Sequence, residues 1–247
     1  MDARTRDVSG ERGSDVSGIG SVLAATGIPV AAASLGAVVS STRTPPKPVQ
    51  NAVQHLAAGL VFAAASAELV PDLLEHHEKV AVAIGFGIGI AFMLGVKKLG
   101  ERSAGERSLV MTVAVDVFID GLLIGIGISE GSKTGLLLAI ALTGELAFLG
   151  LAVSAALGDQ GASRRTVLTT TIGLAALIIP GGLIGFYALG GLTGAPLSAV
   201  LAFATVALLY LVTEELLVEA HETPDTAVST SLFFVGFLAL LLVHMAT

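Results

Sequence analysis

The chain has 247 residues, of which 53% are hydrophobic and only 13% are charged. Its mean hydropathy is +0.86. A soluble domain usually carries about a quarter charged residues, so this chain has too little polar surface to coat a globule in water. The 13 lysines and arginines against 20 aspartates and glutamates argue against nucleic-acid binding. Cysteine is absent, which excludes disulfides, cysteine zinc sites and thiol catalysis.

The amino-terminal segment, residues 1–17, differs in composition from the rest of the chain. It is charged, rich in glycine and serine, and contains no apolar run. Such a segment cannot bury enough apolar surface to fold, and it lacks the apolar core of a signal peptide. We expect a disordered extracytoplasmic tail here, followed by one transmembrane domain over residues 18–247.

Eight hydrophobic stretches recur after the tail, each near the roughly 20 residues that cross a bilayer. They cover residues 19–41, 49–74, 80–96, 108–129, 135–157, 167–189, 196–218 and 227–246. Continuous apolar runs of this length predict helices rather than a barrel. The predicted fold class is therefore all-α, a polytopic membrane helical bundle with about eight transmembrane helices, whose main partner is the lipid bilayer.

Lysine and arginine are distributed unequally between the loops. Most of them fall on alternate loops: Arg43, Lys47, Lys97, Lys98, Arg102, Arg107, Arg164 and Arg165. The other loops contain Lys79 and Lys133, apart from the arginines of the tail. Basic loops usually remain cytoplasmic, so we expect a multi-pass protein of the cell membrane with both termini extracytoplasmic.

Three carboxylates lie in the middle of predicted spans. Asp116 and Asp120 share one face of the fourth span because they are four residues apart, and Glu145 is central in the fifth. Each costs roughly 2.5–3.5 kcal/mol to insert, so intramembrane acids are functional candidates by default. No lysine or arginine inside a span can pair with them. Acids at one depth repel unless a cation or protons lie between them, which predicts a cation or proton site over structural hydrogen bonding.

Further acids lie nearer the ends of the spans. Glu68 is towards the outer end of the second span, and Glu214 and Glu215 are towards the inner end of the seventh. Together with the central acids they predict a path with acidic mouths, although Glu214 and Glu215 also fit an ordinary polar helix end. His221, in the last cytoplasmic loop, is a weaker candidate for gathering metal, whereas His55 is more typical of a helix end.

Eight spans with extracytoplasmic termini resemble the ZIP family of metal permeases. The family's fourth-span pattern, His-Asn-x-Pro-Glu-Gly, matches the segment DVFIDG from Asp116 to Gly121. Its fifth-span pattern, (His/Gln)-(Asp/Glu)-x-Pro-Glu-Gly, matches ELAFLG from Glu145 to Gly150. The second span is similar to the family's His-Leu-x-Pro-Glu stretch, with Glu68 at the histidine. The resemblance covers almost everything after residue 18.

Two later spans carry the resemblance further. In the sixth, Ile179 precedes Pro180 where the family has Glu-Pro, and in the seventh Glu214 and Glu215 occupy the ligand pair. The resemblance implies a transporter without enzymatic activity, possessing no resident cofactor and forming a homodimer. Its transported substrate would be a divalent metal ion of the zinc, manganese or iron class, carried by a site between the fourth and fifth helices.

The chain departs from the family at several ligand positions. Val117, Leu146, Leu149 and Ile179 replace polar residues there, and no histidine remains at the centre. The implied pair of metals reduces to one ion, held by Asp116, Asp120, Glu145 and water. Oxygen ligands favour harder cations such as Mn²⁺ or Fe²⁺, although carboxylates also bind Zn²⁺.

Other functions stay open on the sequence. The missing histidines favour a transport-inactive protein of the same fold, acting as a metal sensor or a partner-binding module. Acids alone do not identify the ion, so a proton- or sodium-coupled transporter of another fold is a further alternative. An intramembrane enzyme with an aspartate dyad is the weakest, because Asp116 and Asp120 share one helix and no substrate-binding motif accompanies them.

Overall fold

The computed structural model describes residues 8–42, 45–76, 78–102, 106–221, 224 and 226–246. Within these ranges the chain is helical between short connections and forms no β-strand, which confirms the predicted all-α class. The α-helices are α1 Val8–Thr42, α2 Lys47–Ala64, α3 Val70–His76, α4 Lys79–Arg102, α5 Glu106–Glu130, α6 Ser132–Asp159, α7 Arg164–Ala175, α8 Ile178–Ile184, α9 Ala195–Tyr210, α10 Leu217–Ala220 and α11 Ala227–Ala246.

Long apolar helices run through most of the chain. In the described ranges, seven helical segments are long and apolar enough to cross a membrane: Gly18–Thr42, Lys47–Glu75, Lys79–Leu99, Lys133–Gly158, Arg164–Leu189, Ala195–Leu216 and Ala227–Ala246. Helix α5, of 25 residues, is a further long helix and carries the two central aspartates. The prediction of a multi-pass helical bundle is confirmed, and the predicted spans differ from these segments by only a few residues.

Helix α1 begins at Val8, upstream of its apolar part. Residues 8–17, which the sequence assigned to a disordered tail, continue α1 as helix. Extending an existing helix adds one hydrogen bond for each residue fixed, so a polar segment can follow an apolar one into the same helix. Residues 1–7 lie outside the described part of the chain.

In the part of the chain that the structure describes, three π-helical turns interrupt the α-helices. They are Ala65–Leu69 between α2 and α3, Gly185–Leu189 after α8, and Leu211–Leu216 between α9 and α10. Such turns widen the helix locally and occur frequently at functional sites. The first contains Glu68, and the third contains both Glu214 and Glu215. The acids of the second and seventh spans therefore lie on irregular helix, whereas the central acids lie on regular α-helix.

The sixth span is divided where the sequence carries Pro180. Helix α7 ends at Ala175, and α8 begins at Ile178. A proline has no N–H, and its ring clashes with the carbonyl group four residues earlier. For Pro180 that carbonyl belongs to Ala176, the residue that caps α7. The proline therefore accounts for the division of this span.

Glycines bring α5 and α8 into backbone contact. A Cβ atom added to Gly121 would lie 2.2 Å from the carbonyl oxygen of Ile178. One added to Gly125 would lie 2.1 Å from the carbonyl oxygen of Gly182. Small residues allow this closeness, which drives helix association in lipid. Because Asp120 precedes Gly121 on α5, this crossing also fixes the position of the Asp120 backbone.

The contacts between spans define two ends of the bundle. At one, which we call the basic end, Lys97 Nζ lies 2.8 Å from Glu214 Oε2. At the same end, the side-chain amide of Asn51 donates to the carbonyl oxygen of Ala220. At the opposite end, Glu68 contacts His244. Successive spans therefore alternate in direction, and α1 begins at the end where α11 finishes.

Candidate metal centre

Helices α5 and α6 bring three carboxylates together at the middle of the bundle. The two helices form an antiparallel pair joined at Gly131. Asp116 and Asp120 lie one turn apart on α5, and Glu145 faces them from α6. One carboxylate oxygen of each lies within 4.8 Å of those of the other two. We call these three residues the carboxylate cluster; they are the three that the sequence placed at the centre.

The cluster is buried and short of hydrogen-bond donors. Asp120 is 2% exposed and Glu145 is 1% exposed. Among the described residues, none donates a hydrogen bond to Asp120 Oδ2 or to either carboxylate oxygen of Glu145. Burying a polar atom without a partner costs on the order of 1–3 kcal/mol, and more for a charged group. Purely structural hydrogen bonding therefore does not account for these oxygens, whereas a cation or shared protons would satisfy them.

A cavity of about 150 Å³ adjoins the cluster. Its polar side chains are Asp116, Glu145 and Glu215, and the rest of its lining is apolar: Val113, Phe148, Leu149, Ala152, Val153, Ala156, Leu211 and Leu216. Helix α5 starts at the basic end, and α6 runs back towards it. The lining residues before Asp116 and after Glu145 are therefore on the basic side of the cluster, and the cavity leads towards that end.

Buried apolar side chains lie between the cluster and the opposite end. Ile124 on α5 is 0% exposed, and on α6 Leu138 and Leu142 are 1% and 0% exposed. Ile124 and Leu138 are one or more turns beyond the cluster in the direction away from the cavity, and Leu142 is three residues beyond it. The glycine-mediated crossing of α5 and α8 lies at the same level. The cavity therefore adjoins the cluster on its basic side, and buried apolar residues adjoin it on the other.

The adjacent acids Glu214 and Glu215 have different surroundings. Glu215 lines the cavity with Asp116 and Glu145. The side chain of Glu214 is 45% exposed and pairs with Lys97 on α4. A solvent-exposed ion pair contributes at most about 1 kcal/mol. The structure therefore brings one of the two predicted residues to the cluster and leaves the other at the surface.

Glu68 lies apart from the cluster. Leu60 on α2 packs against Gly144, the neighbour of Glu145. Glu68 is eight residues farther along the same span, in the π-helical turn after α2, which at roughly 1.5 Å per residue is about 12 Å towards the opposite end. It is 5% exposed, and its Oε1 contacts Nδ1 of His244 on α11. Sequence reasoning missed His244 because the partners are 176 residues apart and no local pattern joins them.

Replacing His244 by Gln is expected to destabilise the protein by about 1–3 kcal/mol, because it removes a partner of the buried Glu68 carboxylate. Thermal unfolding in detergent measures this loss. The variant Glu75→Gln, which removes an exposed acid at the same end, serves as the control and should be neutral. If the contact stabilises the bundle, Glu68→Gln and His244→Gln combined cost less than the sum of the two. Simple additivity contradicts the prediction.

The absence of cysteine makes the cavity directly testable. A cysteine replacing Ala156, which lines the cavity, should react with a membrane-impermeant maleimide added at the basic end. A cysteine replacing Ala141, which is 0% exposed, should remain unreactive. Comparing intact cells with inverted vesicles also tests whether the basic end is cytoplasmic. Labelling of the first variant from the opposite end alone contradicts the described cavity.

No protein-family model matches this chain, and no curated protein matches it in sequence. The assignment of function therefore rests on the chemistry of the cluster. Three carboxylates supply oxygen ligands alone, the donor set that hard and intermediate divalent cations accept. A divalent ion would also offset most of the negative charge that the three groups carry when ionised.

Proposed function

We propose that this protein carries divalent metal cations across a membrane through the carboxylate cluster between α5 and α6. The observation that carries the proposal is the convergence of three carboxylates, two of them almost fully buried, with oxygens that receive no hydrogen bond from the described residues. Intramembrane ionisable groups in this arrangement mark ion pathways. The metal is the transported substrate, of the zinc, manganese or iron class.

The resemblance to the ZIP permeases supports the same proposal. Its motifs occur in the family's order along the chain, and two of them begin at Asp116 and Glu145. We propose on this basis that the protein is a divergent ZIP-like permease, without enzymatic activity, that works as a homodimer. The all-oxygen donor set favours Mn²⁺ and Fe²⁺ as cargo beside Zn²⁺.

Glu215 has a distinct part in this proposal. It lines the cavity between the cluster and the basic end, so a hydrated cation passes it before or after meeting Asp116. A carboxylate in an otherwise apolar cavity raises the local cation concentration. Completion of transport requires a second conformation in which the packing around Leu138 and Leu142 opens. The cluster would then face each end in turn.

The decisive experiment is uptake of radioactive Mn²⁺, Zn²⁺ and Fe²⁺ into proteoliposomes containing the purified protein, with empty liposomes as the control. We expect saturable uptake of at least one ion and competition among the three. Metal binding without uptake by well-inserted protein would favour the transport-inactive alternative, a metal sensor or partner-binding module. Absence of both binding and uptake contradicts the metal assignment altogether.

A further inference from the structure

Helix α2 buries a polar face near the basic end. Asn51, Gln54 and His55 are 4%, 5% and 2% exposed, and their spacing places them on one side of the helix. Burying amide and imidazole groups costs free energy unless partners compensate for the lost water. In a span whose other buried residues are mostly alanine, glycine and valine, this face is unusual.

A second histidine meets this face from the other half of the chain. His221 follows α10, and its ring centroid lies 5.8 Å from that of His55, with the ring planes 50° apart. The side-chain amide of Asn51 donates to the carbonyl oxygen of Ala220, which holds the end of α10 against α2. His221 is exposed, whereas His55 is buried. The pair is thus reachable from water on one side and embedded on the other.

Both imidazoles are oriented by backbone carbonyl groups. Nδ1 of His55 lies 2.9 Å from the carbonyl oxygen of Asn51. Nδ1 of His221 contacts the carbonyl oxygen of Leu217. A carbonyl oxygen only accepts hydrogen bonds, so Nδ1 is the donor in each contact, and Nε2 is the ring nitrogen that would bind a metal. Metal-binding histidines are commonly oriented in this way, with one ring nitrogen donating to a carbonyl group.

The separation of the rings fits a shared ion. Two imidazoles bound to one tetrahedral metal through bonds of about 2.0–2.1 Å place their ring centroids about 5–6 Å apart. We propose that His55 and His221 form a second metal site, at the basic end and separate from the carboxylate cluster. Nitrogen ligands select Zn²⁺, Cu²⁺ or Ni²⁺ over Mn²⁺ and Mg²⁺. Water molecules complete the coordination shell.

The test uses full-length protein in which Asp116→Asn, Asp120→Asn and Glu145→Gln remove the cluster. We expect this protein to retain a Zn²⁺ site by calorimetric titration. His55→Gln or His221→Gln should weaken it by at least about tenfold. The matched control is the double variant His76→Gln and His77→Gln, which alters the other histidine pair and should leave the affinity unchanged. With Cu²⁺ as the probe, the hyperfine pattern of two coordinating nitrogens in the paramagnetic resonance spectrum should change to that of one in His221→Gln.

His221 lies at an exposed helix end, so its variant is expected to fold even if the buried His55 variant does not. Unchanged Zn²⁺ affinity in His221→Gln overturns the proposal, as does loss of the site in the His76/His77 control. The titration measures binding, not transport, and uses protein in which the carboxylate cluster has been replaced. Failure of this site therefore leaves the proposed transport function standing, and failure of transport leaves this site standing.

Discussion

Replacing Glu145 by Gln is expected to abolish metal uptake and, at the same time, to raise the melting temperature of the metal-free protein. Glu145 is 1% exposed, and neither of its carboxylate oxygens has a donor among the described residues. Gln keeps the size of the side chain but removes the charge. It relieves repulsion from Asp116 and Asp120, and it removes a metal ligand. Loss of function with gain of stability is the usual sign of an active site that is strained for its task.

The expected magnitudes follow from the two effects. Removing a group that merely orients a metal ligand costs about 10–100-fold in affinity or activity, and a direct ligand should cost more. If loss of the repulsion increases the free energy of unfolding by about 1 kcal/mol, the melting temperature of a protein of this size rises by roughly 2–4 °C. Added Mn²⁺ or Zn²⁺ should raise the melting temperature of wild type but not of Glu145→Gln, because only the former binds it at the cluster.

The matched control for this experiment is Glu214→Gln. It makes the same chemical change in another membrane-span glutamate, whose side chain is 45% exposed and paired with Lys97. We expect nearly normal uptake and little change in melting temperature. Uptake that survives Glu145→Gln, or that falls equally in both variants, contradicts the assignment of the cluster as the transport site.

Enlarging Gly121 is expected to have the largest effect on folding. A Cβ atom there would lie 2.2 Å from the carbonyl oxygen of Ile178, a distance at which backbone must move. Overpacking of this kind costs about 1–3 kcal/mol and occasionally more. Gly121→Val should therefore yield little monodisperse protein, and Gly121→Ala should lower the melting temperature in detergent. Uptake should fall as well, because Asp120 precedes this residue.

The control is another helical glycine with free space around it. Gly87 on α4 has no atom within 4 Å of an added Cβ. Gly87→Ala should be neutral, or stabilising by up to about 1 kcal/mol, because alanine favours helix. Equal melting temperatures for Gly87→Ala and Gly121→Ala would show that the α5–α8 crossing is looser than described. Size-exclusion profiles distinguish a shifted melting point from failure to fold.

The fold followed from the sequence because its signals are local. Runs of about 20 apolar residues allow only helices in lipid, where each backbone group must find a partner within the segment. The sequence predicted the sixth span as one continuous run, and the structure divides it before Pro180. The three central acids were also predicted together, since Asp116 and Asp120 share a helix face and Glu145 is at the same depth on the next span.

Tertiary structure alone decided the partners of the remaining polar residues. Glu214 and Glu215 are neighbours in a π-helical turn, yet Glu214 pairs with Lys97 and Glu215 lines the cavity. Glu68 meets His244, and His55 meets His221, across helix contacts that join distant parts of the chain. Periodicity fixes which face of a helix a side chain occupies, but not which helix covers that face. Which helix covers a face depends on the glycine-mediated crossings. Their backbone contacts join two distant segments, so neither segment predicts them alone.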